Sequence, residues 1–189
     1  MSGDEKAGTP APDQITPEGS DWDFKSAMAL FATGVTIVTT HERGLVHGST
    51  VQTFCSLSLS PRLVLVALSK DGRTMKYLTK SRSFAVNVLN EEGEELARRF
   101  ADPTKTSEER FRGLDYRLGS TGNPLLNSAL ATVDCVVEKV VDAGDHVVVI
   151  GRVVDATANG IALGEARPPR VWPLIYFDRN YARIERRQS

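Results

Sequence analysis

Two Val-rich runs, Leu130 to Val141 and His146 to Ala156, are separated only by Asp142-Ala143-Gly144-Asp145. Long β-branched segments joined through a short Gly-containing turn specify an antiparallel hairpin. So long a ribbon carries unpaired edges that a fold must cover, and closing the sheet on itself removes them. Other strand-like runs are Val35–Thr40, Arg62–Ser69 behind Pro61, Phe84–Leu89 and Val171–Phe177. Tyr181–Ile184 follows a polar turn near the end of the chain. Helical spacing begins at Trp22 and runs through Phe24, Ala27, Met28, Leu30 and Phe31, with Asp21 or Asp23 as N-cap and Gly34 as terminator. Thr74–Lys80 and Glu91–Phe100 are further helices, whereas 102–110 reads as a charged loop and Gly119–Pro124 as a turn. Strands do not alternate strictly with long helices, so a doubly wound parallel sheet is disfavoured. The expected fold class is mainly β, an antiparallel barrel with peripheral helices.

The segment GSTVQTFCSLSLSP, Gly48 to Pro61, holds six hydroxyl side chains and no charge. Each hydroxyl that leaves water needs a partner. Short hydroxyls and backbone N–H groups in a strand-to-loop segment can bond the edge of an uncharged heterocycle, or phosphate oxygens where the loop turns. The next strand ends in Ser69-Lys70-Asp71-Gly72-Arg73-Thr74, adding hydroxyls and two cations at a helix start. Any one of these hydroxyls can equally bond only water, but two such clusters one strand apart read as a ligand site.

Several chemistries are missing. A net charge of −1, with basic and acidic residues intermixed, disfavours nucleic acid. No apolar run is long enough for a membrane helix. The N-terminus lacks the pattern of a signal peptide, and the two cysteines, Cys55 and Cys135, sit in apolar runs as small buried thiols. This reads as a cytoplasmic protein. No Gly-x-Gly, Gly-Lys or Gly-x-Ser-x-Gly motif occurs, and His41, His47 and His146 share no metal-ligand spacing. An enzyme with this sequence would take its reactivity from an organic cofactor. His47, beside Gly48, reads as structural or solvent-facing, and Trp172, Tyr176 and Phe177 as core or dimer interface. Arg98 and Arg99 read as a solvated helix face.

Phe31-Ala32-Thr33-Gly34-Val35-Thr36-Ile37-Val38-Thr39-Thr40, followed by Gly48 to Ser58, resembles the flavin reductase domain of two-component flavin-dependent monooxygenases. Phe84 to Leu89, Ala97-Arg98-Arg99-Phe100 and Gly144-Asp145-His146 continue the resemblance in order, over roughly Phe24 to Ile184. It implies an FMN-binding split β-barrel, a homodimer and a separate monooxygenase as partner. Residues 1–20 would then be a disordered tail and 21–189 the flavin reductase domain.

The resemblance also implies site residues. Thr50, Val51, Gln52, Thr53, Phe54, Cys55, Ser56 and Ser58 would line the flavin ring and ribityl chain. Ser69, Arg73 and Thr74 would hold its phosphate, and Asn87 and Phe100 would lie near the flavin. His146 would contact NADH or NADPH, with Tyr181 shielding the ligand. Gln52 and Thr53 stand where the family often has Asn and Ser, which leaves FMN against FAD open. Hydride would pass from the nicotinamide to the flavin, so no acid or base residue of the protein is required. The alternatives are a split barrel with tightly held flavin acting as an oxidase, and a non-catalytic flavin carrier.

Overall fold

The computed structural model describes residues 20–159 and 172–184. The tail expected over 1–20 lies outside them except for Ser20, as does Val171. Helix α1 (Asp21–Ala29) starts from Ser20, whose hydroxyl accepts the Asp23 N–H while the Asp23 carboxylate accepts the Ser20 N–H. This capping box corrects the expected N-cap: Asp23 is its third helical residue. The helix also stops well before Gly34, and Thr33–Gly34 form strand β1 instead.

The chain continues through β2 (Thr36–Glu42), β3 (Leu45–Val51), β4 (Phe54–Leu59), β5 (Arg62–Ser69), α2 (Arg73–Ser81) and β6 (Ser83–Val88). Then follow α3 (Glu94–Ala101), α4 (Ser107–Phe111), β7 (Tyr116–Leu118) and β8 (Pro124–Leu126). The long hairpin is β9 (Ala131–Ala143) and β10 (His146–Ala158), and β11 (Ile175–Phe177) and β12 (Asn180–Ala182) close the chain. The hairpin loop is Gly144-Asp145 alone, with Gly144 at φ +66°, as a type II′ turn requires.

Seven strands form one antiparallel sheet in the order β3-β2-β6-β9-β10-β5-β4. Its two edge strands, β3 and β4, are joined by Gln52 and Thr53 only. In a flat sheet those edges would lie about 29 Å apart. The chain from Val51 to Phe54 reaches about 11 Å at most. The sheet therefore curls until its edges face each other across a split, which is the split barrel the sequence predicts. Strand β1 pairs with β11, and β11 with β12, as a small separate sheet beside that split.

Pleating sends alternate residues of β2 to two cores. Val38 joins Val66, Phe84, Val86, Cys135 and Val149 inside the barrel, and Ile37 joins Leu89, Phe100, Phe111 and Leu126 under the helices. Gly151 lets the barrel core close: a Cβ there would sit 2.5 Å from Phe84 Cζ.

Two local expectations fail. The stretch read as a charged loop contains α4, started by a Thr106–Glu109 capping box, and buries Arg110 and Phe111. The hydroxyl-rich segment is two strands rather than strand and loop, with only Gln52 and Thr53 between the strands and a turn at Ser60-Pro61 after them.

Candidate active site

The split opens into a cleft of about 690 Å³, within the range of small-molecule sites. Strand β3 contributes Thr50 and Val51, the crossing contributes Gln52 and Thr53, and β5 ends in it at Ser69. Arg73 and Thr74 open α2 into it, and Phe100, His146, Tyr176 and Tyr181 complete its wall. Ten of the sequence-predicted site residues are thus brought together by elements distant in the chain.

A second hollow of about 990 Å³ adjoins it and is mostly apolar, lined by Trp22, Phe24, Met28, Phe31, Phe54, Cys55 and Leu65 among others. The two hollows share Gln52, Thr53 and Tyr176. Phe54 and Cys55 therefore lie in the apolar groove, not the polar cleft. Cys55 is exposed, against the buried thiol expected; Cys135 is buried, and burial pushes its thiol up to about 12.

Three predicted residues fall outside both hollows. Ser56 and Ser58 lie further along edge strand β4, on the order of 10 Å past the groove at Ser58. Asn87 is fully buried: its Nδ2 donates to Ile37 O at 3.1 Å and its Oδ1 accepts from Leu126 N–H at 2.7 Å. That amide ties β6 to β2 and β8, so Asn87 is corrected from ligand contact to core tie.

The hydroxyls mostly close the split from within. Thr50 Oγ1 donates to Ala97 O at 2.6 Å, holding α3 against β3. Thr53 Oγ1 donates to Ala67 O at 2.9 Å and accepts from Ala67 N–H at 3.0 Å. It thus stands in for a backbone partner where β3 hands over to β4. Thr74 Oγ1 donates to Ser49 Oγ at 2.7 Å, fastening α2 to β3. The Gln52 side-chain amide has no hydrogen-bond partner among the described residues and lines both hollows.

Electrostatically the cleft is cationic at the α2 end. Gly72 caps α2 without a side-chain hydrogen bond, and its first turn holds no acid, so its leading N–H groups face the cleft uncompensated. Arg73 Nη2 donates to the carbonyls of Pro103 and Lys105, at 2.8 and 2.7 Å. Arg110, only 4% exposed, donates from Nη1 to Gly48 O and from Nη2 to Asp102 O, at 2.7 and 2.6 Å. His47, 1% exposed, is stacked on Tyr77 and shares a 2.6 Å hydrogen bond between Nδ1 and Ser107 Oγ. Burial first, then Arg110 and Arg73, push His47 down to about 4, so it is neutral at pH 7. Beside that end, where His146 pairs with Ser69, Asp145 Oδ1 lies 2.8 Å from His146 Nδ1, which holds the Asp145 carboxyl below its usual range. Tyr181 packs edge-on against Tyr176, and the Arg98 guanidinium lies 4.8 Å from its ring centre. Arg98 is thus more than the solvated face expected of it.

Residues 28–185 match the flavin reductase like domain family. The chain belongs to that family. It is similar to the NADH flavin reductase of Kitasatospora aureofaciens, 40% identical over 176 residues, 91% of this chain and 86% of that protein. It is also similar to HsaB of Rhodococcus jostii, the reductase subunit of a flavin-dependent monooxygenase. That match is 39% identical and covers 86% of this chain and 77% of that one. The chain spans 46% of the length of a further relative, a Rhizobium meliloti flavin reductase. Among solved structures, the NADH:FAD oxidoreductase SgcE6 of Streptomyces globisporus, in complex with NAD and FAD fragments, superposes with a TM-score of 0.76. It is 30% identical and covers 95% of this chain and 98% of that one.

Two residues of this flavin reductase cleft, His47 and Arg110, escape sequence reasoning. The Thr106-x-x-Glu109 pattern announces α4 and so a candidate face for Arg110. Nothing local announces that either side chain is buried, because that depends on where α4 docks.

Proposed function

We propose that the protein is an NAD(P)H-dependent flavin reductase whose reduced flavin serves a separate monooxygenase. The observation that carries this reading is the junction of a polar, cationic cleft with an apolar groove at Gln52, Thr53 and Tyr176. A flavin has that polarity: a flat ring at one end and a phosphate-bearing chain at the other. Ser69, Arg73 and Thr74 would hold the phosphate at the uncapped start of α2. Gln52, Thr53 and Val51 would take the ring edge, with Phe54 and Cys55 beside it in the groove and Phe100 and Thr50 behind the cleft. His146 and Tyr181 would receive the nicotinamide.

The bound flavin and nicotinamide supply the hydride chemistry; the protein aligns the two and excludes water. The Asp145 carboxylate, 2.8 Å from His146 Nδ1, would hold that ring in place on the cleft wall. The names of HsaB and of the K. aureofaciens enzyme support a reductase that works for a monooxygenase and draws on NADH.

The groove supports a homodimer. Helix α1 buries none of its residues, and Trp22, Phe24, Met28, Leu30 and Phe31 are each more than half exposed. A second copy laid on this face would cover them and roof the groove. Among the described residues no helix is long and apolar enough to cross a membrane. The two cysteines are unpaired, which suits the cytoplasm.

The test is loss of NADH absorbance with no flavin, with FMN and with FAD, repeated with NADPH. Saturable oxidation that needs added flavin supports the reading and identifies the preferred pair. If neither nucleotide is oxidised with either flavin, the reductase assignment fails.

A further inference from the structure

Tyr181 reaches the cleft from β12, the outer strand of the small sheet, whose ladder runs to β11 alone. No hydrogen bond among the described residues fixes its hydroxyl, so the ring is placed by packing. It rests on the core under the helices, and Tyr176, its cross-strand partner, meets it edge-on with ring centres 5.3 Å apart. The remaining support comes from α3, where the Arg98 guanidinium lies over the ring, 4.8 Å from its centre. Glu94, one turn earlier, aims Arg98: its Oε1 accepts from Nε at 3.0 Å and lies 2.8 Å from Nη2. Helix α3 is itself anchored, because Ala97 and Phe100 are fully buried and Ala97 O accepts from the Thr50 hydroxyl of β3. A line of contacts thus runs from the barrel through α3 and Arg98 to one ring of the cleft wall.

As an ion pair alone, Arg98–Glu94 contributes little to stability, since the two side chains are 63% and 45% exposed. Nor does it bring net charge to the cleft, because Glu94 neutralises Arg98. Its effect falls on the ring: a planar guanidinium stacks on an aromatic face and is drawn to it. We propose that Arg98 is a positioning residue for the nicotinamide nucleotide. Braced by Glu94, it holds Tyr181 in place on the cleft wall before the ligand arrives, so binding does not bear the cost of ordering that ring. Arg98 does not line the cleft itself and acts through Tyr181. This rests on the reductase reading above, in which Tyr181 receives the nicotinamide. The flavin's partners at the start of α2 and at Gln52 and Thr53 do not depend on Arg98. Arg99, the next residue, has other partners: it pairs with Glu95 and donates to Arg112 O at 3.2 Å.

The first experiment needs no turnover. The chain has four tyrosines, so labelling with 3-fluorotyrosine gives a countable set of fluorine NMR signals, and Tyr181→Phe identifies the one from Tyr181. Arg98→Met is expected to move the Tyr181 signal and to leave those of Tyr77 and Tyr116 in place. An unmoved Tyr181 signal overturns the proposal whatever the reductase assay gives.

Steady-state kinetics and flavin binding are then compared in wild type, Arg98→Met, Arg98→Lys and Arg99→Met. Arg98→Met is expected to raise KM for NADH about fivefold, the cost of ordering one freed side chain. Its kcat and its flavin Kd are expected to change less than about twofold. Arg98→Lys keeps a cation over the ring without the planar fork, and its KM is expected to fall between wild type and Arg98→Met. Arg99→Met removes the same charge one residue on and is expected to keep the wild-type KM. An equal rise in Arg99→Met would mean that helix charge steers the nucleotide, and overturns the assignment. Flavin affinity falling in step with NADH would mean that Arg98 only holds the fold, and overturns it too. So would an Arg98→Lys variant no better than Arg98→Met, or an unchanged KM in both. If the wild type oxidises neither nucleotide, the reductase reading falls, while the Tyr181 signal still decides whether Arg98 sets that wall of the cleft.

Discussion

The polar cleft and the apolar groove share a boundary but are finished to different degrees. In the cleft nearly every hydroxyl already has a partner inside the chain: Thr50 holds Ala97, Thr53 holds Ala67, and Thr74 holds Ser49. Its cations, Arg73 and Arg110, bond backbone carbonyls. In the groove the apolar wall is in place, but Phe31 is 71% exposed and Trp22 65%. One region is braced from within, and the other leaves an apolar wall uncovered.

The comparison breaks first at His47. Its folded-state pKa, about 4, lies below the ordinary 6.5. The unfolded chain therefore binds the proton first as pH falls, and stability drops below pH 6.5 until about pH 4. Above 6.5 both states are neutral and the effect vanishes. The ligand-free protein is expected to lose roughly 3 kcal/mol through this group across that window. Denaturant titrations at several pH values should show a shallower decline for His47→Gln. Equal slopes would mean that the histidine is not held neutral.

The groove is tested by charge. Trp22→Asp combined with Phe31→Asp is expected to weaken self-association about 100-fold, or near 2.7 kcal/mol, by sedimentation equilibrium. A wild-type protein that is monomeric at assay concentrations, or a variant that still dimerises, would show that α1 is not the interface.

Smaller effects sharpen the boundary between the regions. Thr53→Val keeps the shape but leaves the Ala67 N–H and C=O without their partner. It is expected to cost about 1 kcal/mol in urea unfolding. Ser56→Ala, on the exposed edge beyond both hollows, is expected to stay within about 0.5 kcal/mol and to leave flavin affinity unchanged. Loss of flavin binding in Ser56→Ala would return Ser56 to the site and contradict its placement on β4.

These contrasts also locate what could be read in advance. The Val-rich hairpin was legible because a short Gly-containing turn and β-branched runs act locally, and its pairing follows from the turn as far as Ile150, where the first register shift falls. The start of α2 was legible for the same reason, and so was the grouping of Ser69, Arg73 and Thr74. Asn87 was misread because a polar residue in an apolar strand looks the same whether it meets a ligand or bonds Leu126 across the core. Ser56 and Ser58 were misread because hydroxyl density does not say how far along the barrel a strand has travelled. Cys55 was taken for a core thiol because an apolar run does not reveal that its strand lies at a sheet edge.

By itself the sequence determined the antiparallel ribbon and the start of α2. Each depends on residues a few positions apart, where turn geometry, capping and alternation act. Only the tertiary structure decided that β3 and β4 are opposite edges of one curled sheet. It also decided that their hydroxyls fasten that sheet, and that Arg110 and His47 meet beneath α2. Those outcomes depend on contacts between residues far apart in the chain, such as the bond across 62 positions from Arg110 to Gly48, and such contacts form only when the barrel closes.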